Sequence, residues 1–423
     1  DWMIDVADEQ GVIRAEVTIV PPRFHSNRGI EALKAQGGEY HVMLEGVADG
    51  EARQEVRRVT CVKHAFAPED EPEAYEQTIL DPALRLIVSN TTEAGIVYQP
   101  EDLGAAIPAT FPGKIASLLY RRFKHFEGAK DKGVIIIACE LIEDNGQRLK
   151  EIVLRHAEEN NLGADFTAWL NVACIFCDSL VDRIVAGYPQ EQEGLAEELK
   201  ADRMLVKGEL YHLWVIGTPQ WEQVQRELPL HKAGLHVEFM ESCREFREKK
   251  VRVLNGCHTA MTPVALLLGL ETVREAYTHP LVRQYIDQMV EHEVLPMIPG
   301  DRAALRTFAD GILERFLNPY IRHQLTSIAL NSISKWEARL WPTVKDVYDK
   351  TGHLATHAIF AYAALRALYM RKDFTPQDSD KEQADSFAER YEQEAPGFKT
   401  LVEQYVNSIT HEGIEEALRS IIS

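Results

Sequence analysis

The β-forming signal in this chain of 423 residues stops near Arg244, and helical periodicity alone follows it. Before that point, short β-rich runs at 16–20, 40–44, 55–62, 85–88, 134–138, 213–216 and 236–239 alternate with helical patterns. Among them, Val134-Ile-Ile-Ile137 is continuously apolar, the reading of a strand covered by helices on both faces. Helical stretches at 112–125, 147–160 and 165–171 would supply the crossovers of a parallel sheet. After about residue 245 the spacing predicts helices over 245–269, 279–295, 301–317, 320–340, 353–371, 379–393 and 398–422. The polar stretch 373–378, with Pro376, reads as a loop, and Ser379 with Glu382 three residues on as a capping box.

The expected fold class is therefore α/β plus all-α. A Rossmann-like parallel-sheet domain over 1–244 is followed by an all-helical substrate and catalytic domain over 245–423, with the active site in the crevice between them. A formal net charge of −20 argues against nucleic acid, and an anionic ligand would need a local positive pocket. The longest apolar stretches, 133–139 and the interrupted 358–370, fall short of the ~20 residues that a membrane helix requires. No signal peptide is read at the start. Cys61, Cys139, Cys174, Cys177, Cys243 and Cys257 lack the dense framework of a secreted scaffold, so reduced thiols in the cytoplasm are expected. Cys174-Ile-Phe-Cys177 reads as buried packing rather than half a zinc site. His292-Glu293 reads as a solvated helix face, and no metal is called for.

Chemistry enters with Lys250-Val-Arg-Val-Leu-Asn255-Gly-Cys-His258. At about 100° per residue, Lys250, His258 and Asn255 fall near about 0°, 80° and 140°, on one side of a helix. A carbinol being oxidised needs a base for its hydroxyl proton, donors for the developing oxyanion and a group to orient neighbouring hydroxyls. A lysine serves as that base when burial or a neighbouring charge brings its pKa down from about 10.4. The alternative is a helix with a solvated lysine, a satisfied core histidine and a capping asparagine.

This spacing resembles the active-site signature of the mannitol dehydrogenase family of long-chain polyol dehydrogenases. The segments 89–96, 138–146, 180–184 and 315–321 recur in the order and spacing of that family's hexuronate branch. The resemblance implies Lys250 as general base, Asn255 on the oxyanion and His258 on substrate hydroxyls. It implies NAD-dependent reversible hydride transfer to a small-molecule ketohexuronate. The alternatives are a sibling hexuronate or mannitol/fructose oxidoreductase, and a ligand-binding relative without catalysis. A monomer or small homo-oligomer is expected, with neither nucleic acid nor membrane as partner.

Ser89, Thr91, Thr92 and Glu93 directly follow the 85–88 strand and would line a cofactor groove; the plainer reading is a polar turn punctuated by Gly95. Glu140 follows the next strand in the same manner and could approach the nicotinamide. Asp144-Asn145-Gly146 reads as a turn and helix start. No glycine-rich dinucleotide fingerprint occurs in the sequence. In the resembled family that loop precedes the position of Asp1–Asp5, so the first strand and phosphate loop are expected upstream. The second strand ends near Arg23, which would tolerate a 2′-phosphate, but the resemblance favours NAD. For the hexuronate carboxylate, Arg315, Arg322, His323, Lys335 and Arg339 are candidates, with Asn318 beside them. The plainer alternative has Arg315 and Asn318 bracing helix ends and Arg322 in solvent. Asp182-Arg183 reads as a structural ion pair. Asp178 stands where several family members carry a second oxyanion asparagine, a departure from the mannitol branch.

Overall fold

The structure, a computed structural model, describes all residues except 22–26, 49, 93, 105–106, 190–193, 373 and 375–383. Arg23, Glu93, most of the 373–378 loop and the Ser379 capping box therefore lie outside the described residues. The chain divides into two compact units, Asp1–Glu45 with Gln54–Arg244, and Gly46–Arg53 with Glu245–Ser423.

In the first unit a five-stranded sheet runs in the order Val237–Met240, Leu213–Gly217, Ile175–Asp182, Ile135–Ala138, Leu86–Ser89. The last three strands are parallel, with Leu86 opposite Ile135 and Ile135 opposite Ile175. Helices Phe111–His125 and Asn145–Glu159 form the crossovers. The apolar run at 134–138 is buried on both faces. Val134, Ile136 and Ala138 join one core cluster, while Ile135 and Ile137 join another on the opposite face. Cys174 and Cys177 likewise belong to opposite faces, three residues apart around the start of an alternating strand.

Two features depart from the expected parallel sheet. Leu213–Gly217 runs antiparallel to Ile175–Asp182, so the sheet is mixed. A separate four-stranded sheet, in the order Glu51–Val59, Tyr40–Ala48, Val206–Glu209, Val185–Gly187, was not anticipated. The central strand Ile175–Asp182 was missed because Asp178 and Asp182 are poor strand formers and polar Ser179 and Asp182 take buried positions, which breaks the apolar signal of Ile175 and Cys177.

The second unit is helical. Its hub is Thr356–Met370, buried on nearly every side from His357 to Tyr369, as an all-round apolar helix should be. This hub packs against Gly256–Leu267 and Phe398–His411. Four expected helices are interrupted, 245–269 among them, by a π-helical turn at Val251–Asn255. The expected 320–340 helix is instead Leu325–Ile328 and Ser332–Arg339, and 398–422 breaks at Gly413, whose φ of 91° no continuing helix accepts. The 279–295 helix ends in a π-helical turn, Val290–Val294. Glu293, at 5% exposure, continues the buried face of Val282, Ile286 and Met289 while His292 stays outside, so the solvated-face reading fails for Glu293.

Candidate active site

The segment Lys250 to His258 is not one continuous α-helix. Arg244–Lys250 runs into a π-helical turn, Val251–Asn255, and Gly256–Leu267 continues from it. The Gly256 N–H reaches back five residues to the Val251 carbonyl. A π turn accommodates an extra residue, so an α-helical wheel over-counts the rotation between Lys250 and Asn255 by about 100°. Removing that excess narrows the spread of Lys250, Asn255 and His258 from about 140° to about 60°. The turn is held from inside by Arg252, which donates to Glu248 at 2.8 Å and to Asp346 at 2.5 Å.

All three side chains are half-buried. Among the described residues, the Asn255 amide and the His258 ring have no hydrogen-bond partner, although half-buried polar groups ordinarily find one. His258 packs against Phe316 with ring centroids 4.7 Å apart and against His323 edge-on at 5.1 Å. Burial pushes the His258 imidazolium down to about 3, and the neighbouring His323, Arg315 and Arg339 push the same way. Burial also lowers His323 and Arg339. His258 is thus a neutral imidazole beside a cluster of cations.

The basic candidates separate by environment. Arg315 is half-buried within electrostatic reach of His258. His323 offers its ring to the cluster while its carbonyl accepts the Val273 N–H. Arg339 donates to the Thr259 hydroxyl at 3.2 Å. In contrast, Arg322 forms an exposed ion pair with Glu271 at 3.1 Å. Lys335 donates to the Ile328 carbonyl at 2.8 Å, and the Asn318 side chain accepts the Tyr320 N–H at 2.9 Å, a turn brace. Thr259 and Phe316 went unremarked in the sequence. Their adjacency to His258 and Arg315 was the available signal.

In the first unit, the carboxyl ends of Leu86–Ser89 and Ile135–Ala138 are tied together by Glu140, which is 3% exposed. Its carboxylate accepts the Ser89 hydroxyl at 3.0 Å, the Thr91 hydroxyl at 2.8 Å and the Thr91 N–H at 3.0 Å. Thr92 is exposed, and its carbonyl accepts the Gly95 N–H at 2.7 Å. A side chain at Gly95 would meet the Thr91 hydroxyl at 2.1 Å, so the loop closes tightly only with glycine there. Buried Asn145 donates to the Glu140 and Ser179 carbonyls and accepts the Ser179 N–H, locking the next strand end.

Comparison with known proteins decides the family. Residues 14–230 match the mannitol dehydrogenase Rossmann domain and residues 242–420 the mannitol dehydrogenase C-terminal domain. The chain belongs to the mannitol dehydrogenase family. It is 43% identical over 372 residues to an altronate oxidoreductase of Bacillus subtilis (strain 168), covering 87% of this chain and 76% of that protein. It is 40% identical over 373 residues to the altronate oxidoreductase of Pectobacterium carotovorum, with the same coverage of 87% and 76%. Among solved structures it resembles the Pseudomonas fluorescens mannitol 2-dehydrogenase ternary complex with NAD and D-mannitol. That likeness has a TM-score of 0.65 at 22% identity over 100% of this chain and 91% of the other. A substrate-free D-sorbitol dehydrogenase gives a TM-score of 0.74 at 20% identity over 95% and 88%.

This member of the mannitol dehydrogenase family is an oxidoreductase acting on CH–OH groups of polyols or sugar acids, with a nicotinamide dinucleotide cofactor. The departure at Asp178 has a structural account. Its carboxylate accepts the N–H groups of Gly146 at 2.9 Å and Gln147 at 3.0 Å, at the N-terminus of Asn145–Glu159, where the helix dipole favours an anion. Gly146 is required there, since a Cβ would lie 2.2 Å from the Cys177 carbonyl oxygen. Arg183 donates to the carbonyls of Glu209, Leu210 and Tyr211 and lies 4.1 Å over the Trp2 ring. All six cysteines are buried free thiols. No helix among the described residues is long and apolar enough to cross a membrane.

Proposed function

We propose that this chain catalyses the reversible, NAD-dependent reduction of D-tagaturonate to D-altronate. The carrying observation is the half-buried set on and around the first π turn. Lys250, Asn255 and His258 share a face, the last two without hydrogen-bond partners among the described residues, beside the cations Arg315 and Arg339. A polyhydroxylated anion fits such a set, because the Asn255 amide and the His258 ring suit its hydroxyls and the positive charge of Arg339 suits its carboxylate. The names of the 37–43% identical relatives, altronate oxidoreductases, support the choice of substrate.

Residues at the first unit's strand ends suit the cofactor's donor and acceptor groups. The hydroxyls of Ser89, Thr91 and Thr92, with Glu140 fixing two of them, fit ribose hydroxyls and a carboxamide, and Glu93 follows Thr92 in sequence. When bound, the nicotinamide supplies the hydride for reduction and accepts it in oxidation. The Lys250 ammonium donates the proton that turns the reduced carbonyl oxygen into a hydroxyl, and the neutral amine takes it back in oxidation. The Asn255 amide donates to that oxygen while it carries negative charge. His258, held neutral, offers one N–H and one lone pair, so it can orient a neighbouring hydroxyl without adding charge. His323 packs edge-on against the His258 ring. Lys335 and the buried Asn318 brace main-chain groups nearby, and Arg322 stays at the surface with Glu271.

The test is cofactor oxidation by the protein, comparing D-tagaturonate, D-fructuronate and D-fructose with NADH and NADPH. A large preference for tagaturonate with NADH is expected. Preference for fructuronate or fructose would move the activity to a sibling substrate, and silence on all three would refute catalysis.

A further inference from the structure

The five basic candidates differ in what already satisfies them. Arg322 is spent on Glu271 at the surface, Lys335 is turned to a main-chain carbonyl, and Arg315 already has an interaction partner. His323 is lowered by burial and carries little positive charge at neutral pH. Arg339 differs from all of these. It is half-buried, and among the described residues its only hydrogen bond is the one from Nη1 to the Thr259 hydroxyl, a neutral partner. A guanidinium carries five N–H donors in a planar fork, so most of its capacity is unused. In a chain of net charge −20, a cation withdrawn from solvent without a carboxylate is a costly arrangement unless an anionic ligand completes it.

Its placement is fixed from two sides. Thr259, 6% exposed, follows His258 directly on Gly256–Leu267 and orients the fork. The end of Ser332–Arg339 rests on Gly256, where a Cβ would lie 3.4 Å from the Leu340 side chain and 3.7 Å from the Arg339 carbonyl oxygen. The guanidinium is thus held one residue beyond His258, a π turn and a further helical turn along the chain from Lys250.

We propose that Arg339 is the carboxylate anchor: its free N–H groups receive the two carboxylate oxygens of the hexuronate, while Thr259 holds the fork in register. This deepens the tagaturonate reading and rests on it. A bidentate Arg–carboxylate pair is directional and charge-assisted, so it fixes which end of an otherwise hydroxyl-rich chain faces Lys250. It also explains why a uronate would be preferred to a neutral sugar. Without the anion, the desolvated guanidinium is left uncompensated, and a hydroxymethyl group cannot offset it.

The experiment compares D-tagaturonate with D-tagatose, which carries a hydroxymethyl group where the uronate has its carboxylate, using NADH. Wild type, Arg339→Gln, Arg339→Lys and Thr259→Val are measured. Arg339→Gln is expected to lower kcat/KM for tagaturonate by about 100-fold, mostly through KM, with a penalty on tagatose at least tenfold smaller. Arg339→Lys keeps the charge without the fork and should fall between, as should Thr259→Val; both remain informative if the glutamine variant folds poorly. If wild type prefers the uronate but Arg339→Gln and Arg339→Lys penalise both substrates equally, or neither, the anchor assignment is overturned and the tagaturonate reading stands. If wild type turns over tagatose as well as tagaturonate, both fall together.

Discussion

Two π-helical turns touch inside the second unit, and they handle polar groups in opposite ways. Val251–Asn255 presents Asn255 half-buried without a hydrogen-bond partner among the described residues, with the His258 ring in the same condition one turn further on. Val290–Val294 presents Glu293, whose carboxylate is fully engaged. It accepts the N–H groups of His357 and Ala358 at 2.8 and 2.9 Å, the His357 ring at 2.9 Å and the Thr356 hydroxyl at 3.3 Å. Glu293 therefore caps the hub helix Thr356–Met370 from across the core. Each turn also buries one charged side chain, Arg252 in the first and Glu293 in the second. The same backbone irregularity occurs in both places. What separates a site from a brace is whether the aimed group finds its partner within the chain.

The contrast would break first at Lys250. Replacing it with alanine should cost a hundredfold to ten-thousandfold in kcat, the scale of general acid–base catalysis, with an unchanged melting temperature. Near-normal turnover would reduce the first turn to another brace. Glu293→Ala should do the converse. Leaving buried helix N-terminal N–H groups without their charged acceptor should cost about 2–3 kcal/mol, read as a lower urea midpoint. Turnover per folded molecule at low temperature should change less than about threefold, far below the effect of general acid–base loss. A loss of turnover as deep as that of Lys250→Ala, at intact stability, would make both turns catalytic.

His258 gives a sharper discrimination through pH. Its folded value of about 3 lies below its ordinary range, so between about pH 6.5 and 3 the unfolded chain holds a proton that the folded chain lacks. The stability this group contributes is complete above about pH 6.5 and is lost as the pH falls through that window, with a slope of at most about 1.4 kcal/mol per pH unit. His258→Asn should flatten the acid side of the stability profile. It should also leave the shape of the kcat/KM profile between pH 5 and 8 unchanged, because the ring does not titrate there. A new or vanished inflection near pH 6.5 would show that the ring is charged in the working enzyme.

Much of this was legible in the sequence, and most of the illegible parts share a cause. The apolar run at 134–138 and the shift to helical period near Arg244 are repeated signals, so the sheet and the helical unit could be read from them. The Lys250–His258 spacing was equally readable. The π turn was not, because nothing in Val-Arg-Val-Leu-Asn distinguishes one hydrogen-bond register from the next; tertiary packing decides it. That hidden register explains one misjudged detail: it draws the Lys250 face together more tightly than an α wheel allows. Glu293 was misread for another reason, since it follows buried Met289 by four residues and Ile286 by seven and so falls on the buried face even of an α wheel; its acidic character outweighed its position. Among the basic residues, sequence could not rank Arg339 above Arg322. Their difference is burial and the presence of Glu271, both set by how distant segments meet.

The finest test of the contrast lies at Thr356. Its hydroxyl donates to Glu293 over 3.3 Å, the longest and weakest bond in that cap. If the second turn is a saturated brace, the carboxylate keeps its two main-chain donors and the His357 ring when the hydroxyl is removed. Thr356→Val should then cost only about 0.5–1 kcal/mol in stability. Neither kcat nor KM should move measurably. A cost approaching that of Glu293→Ala would mean that the hydroxyl organises the whole cap, and the brace would be a cooperative network rather than a set of independent bonds. The first turn offers no equivalent measurement, since Asn255 has no partner among the described residues to delete. Its counterpart there is substrate itself, and the corresponding difference should appear in catalysis and not in stability.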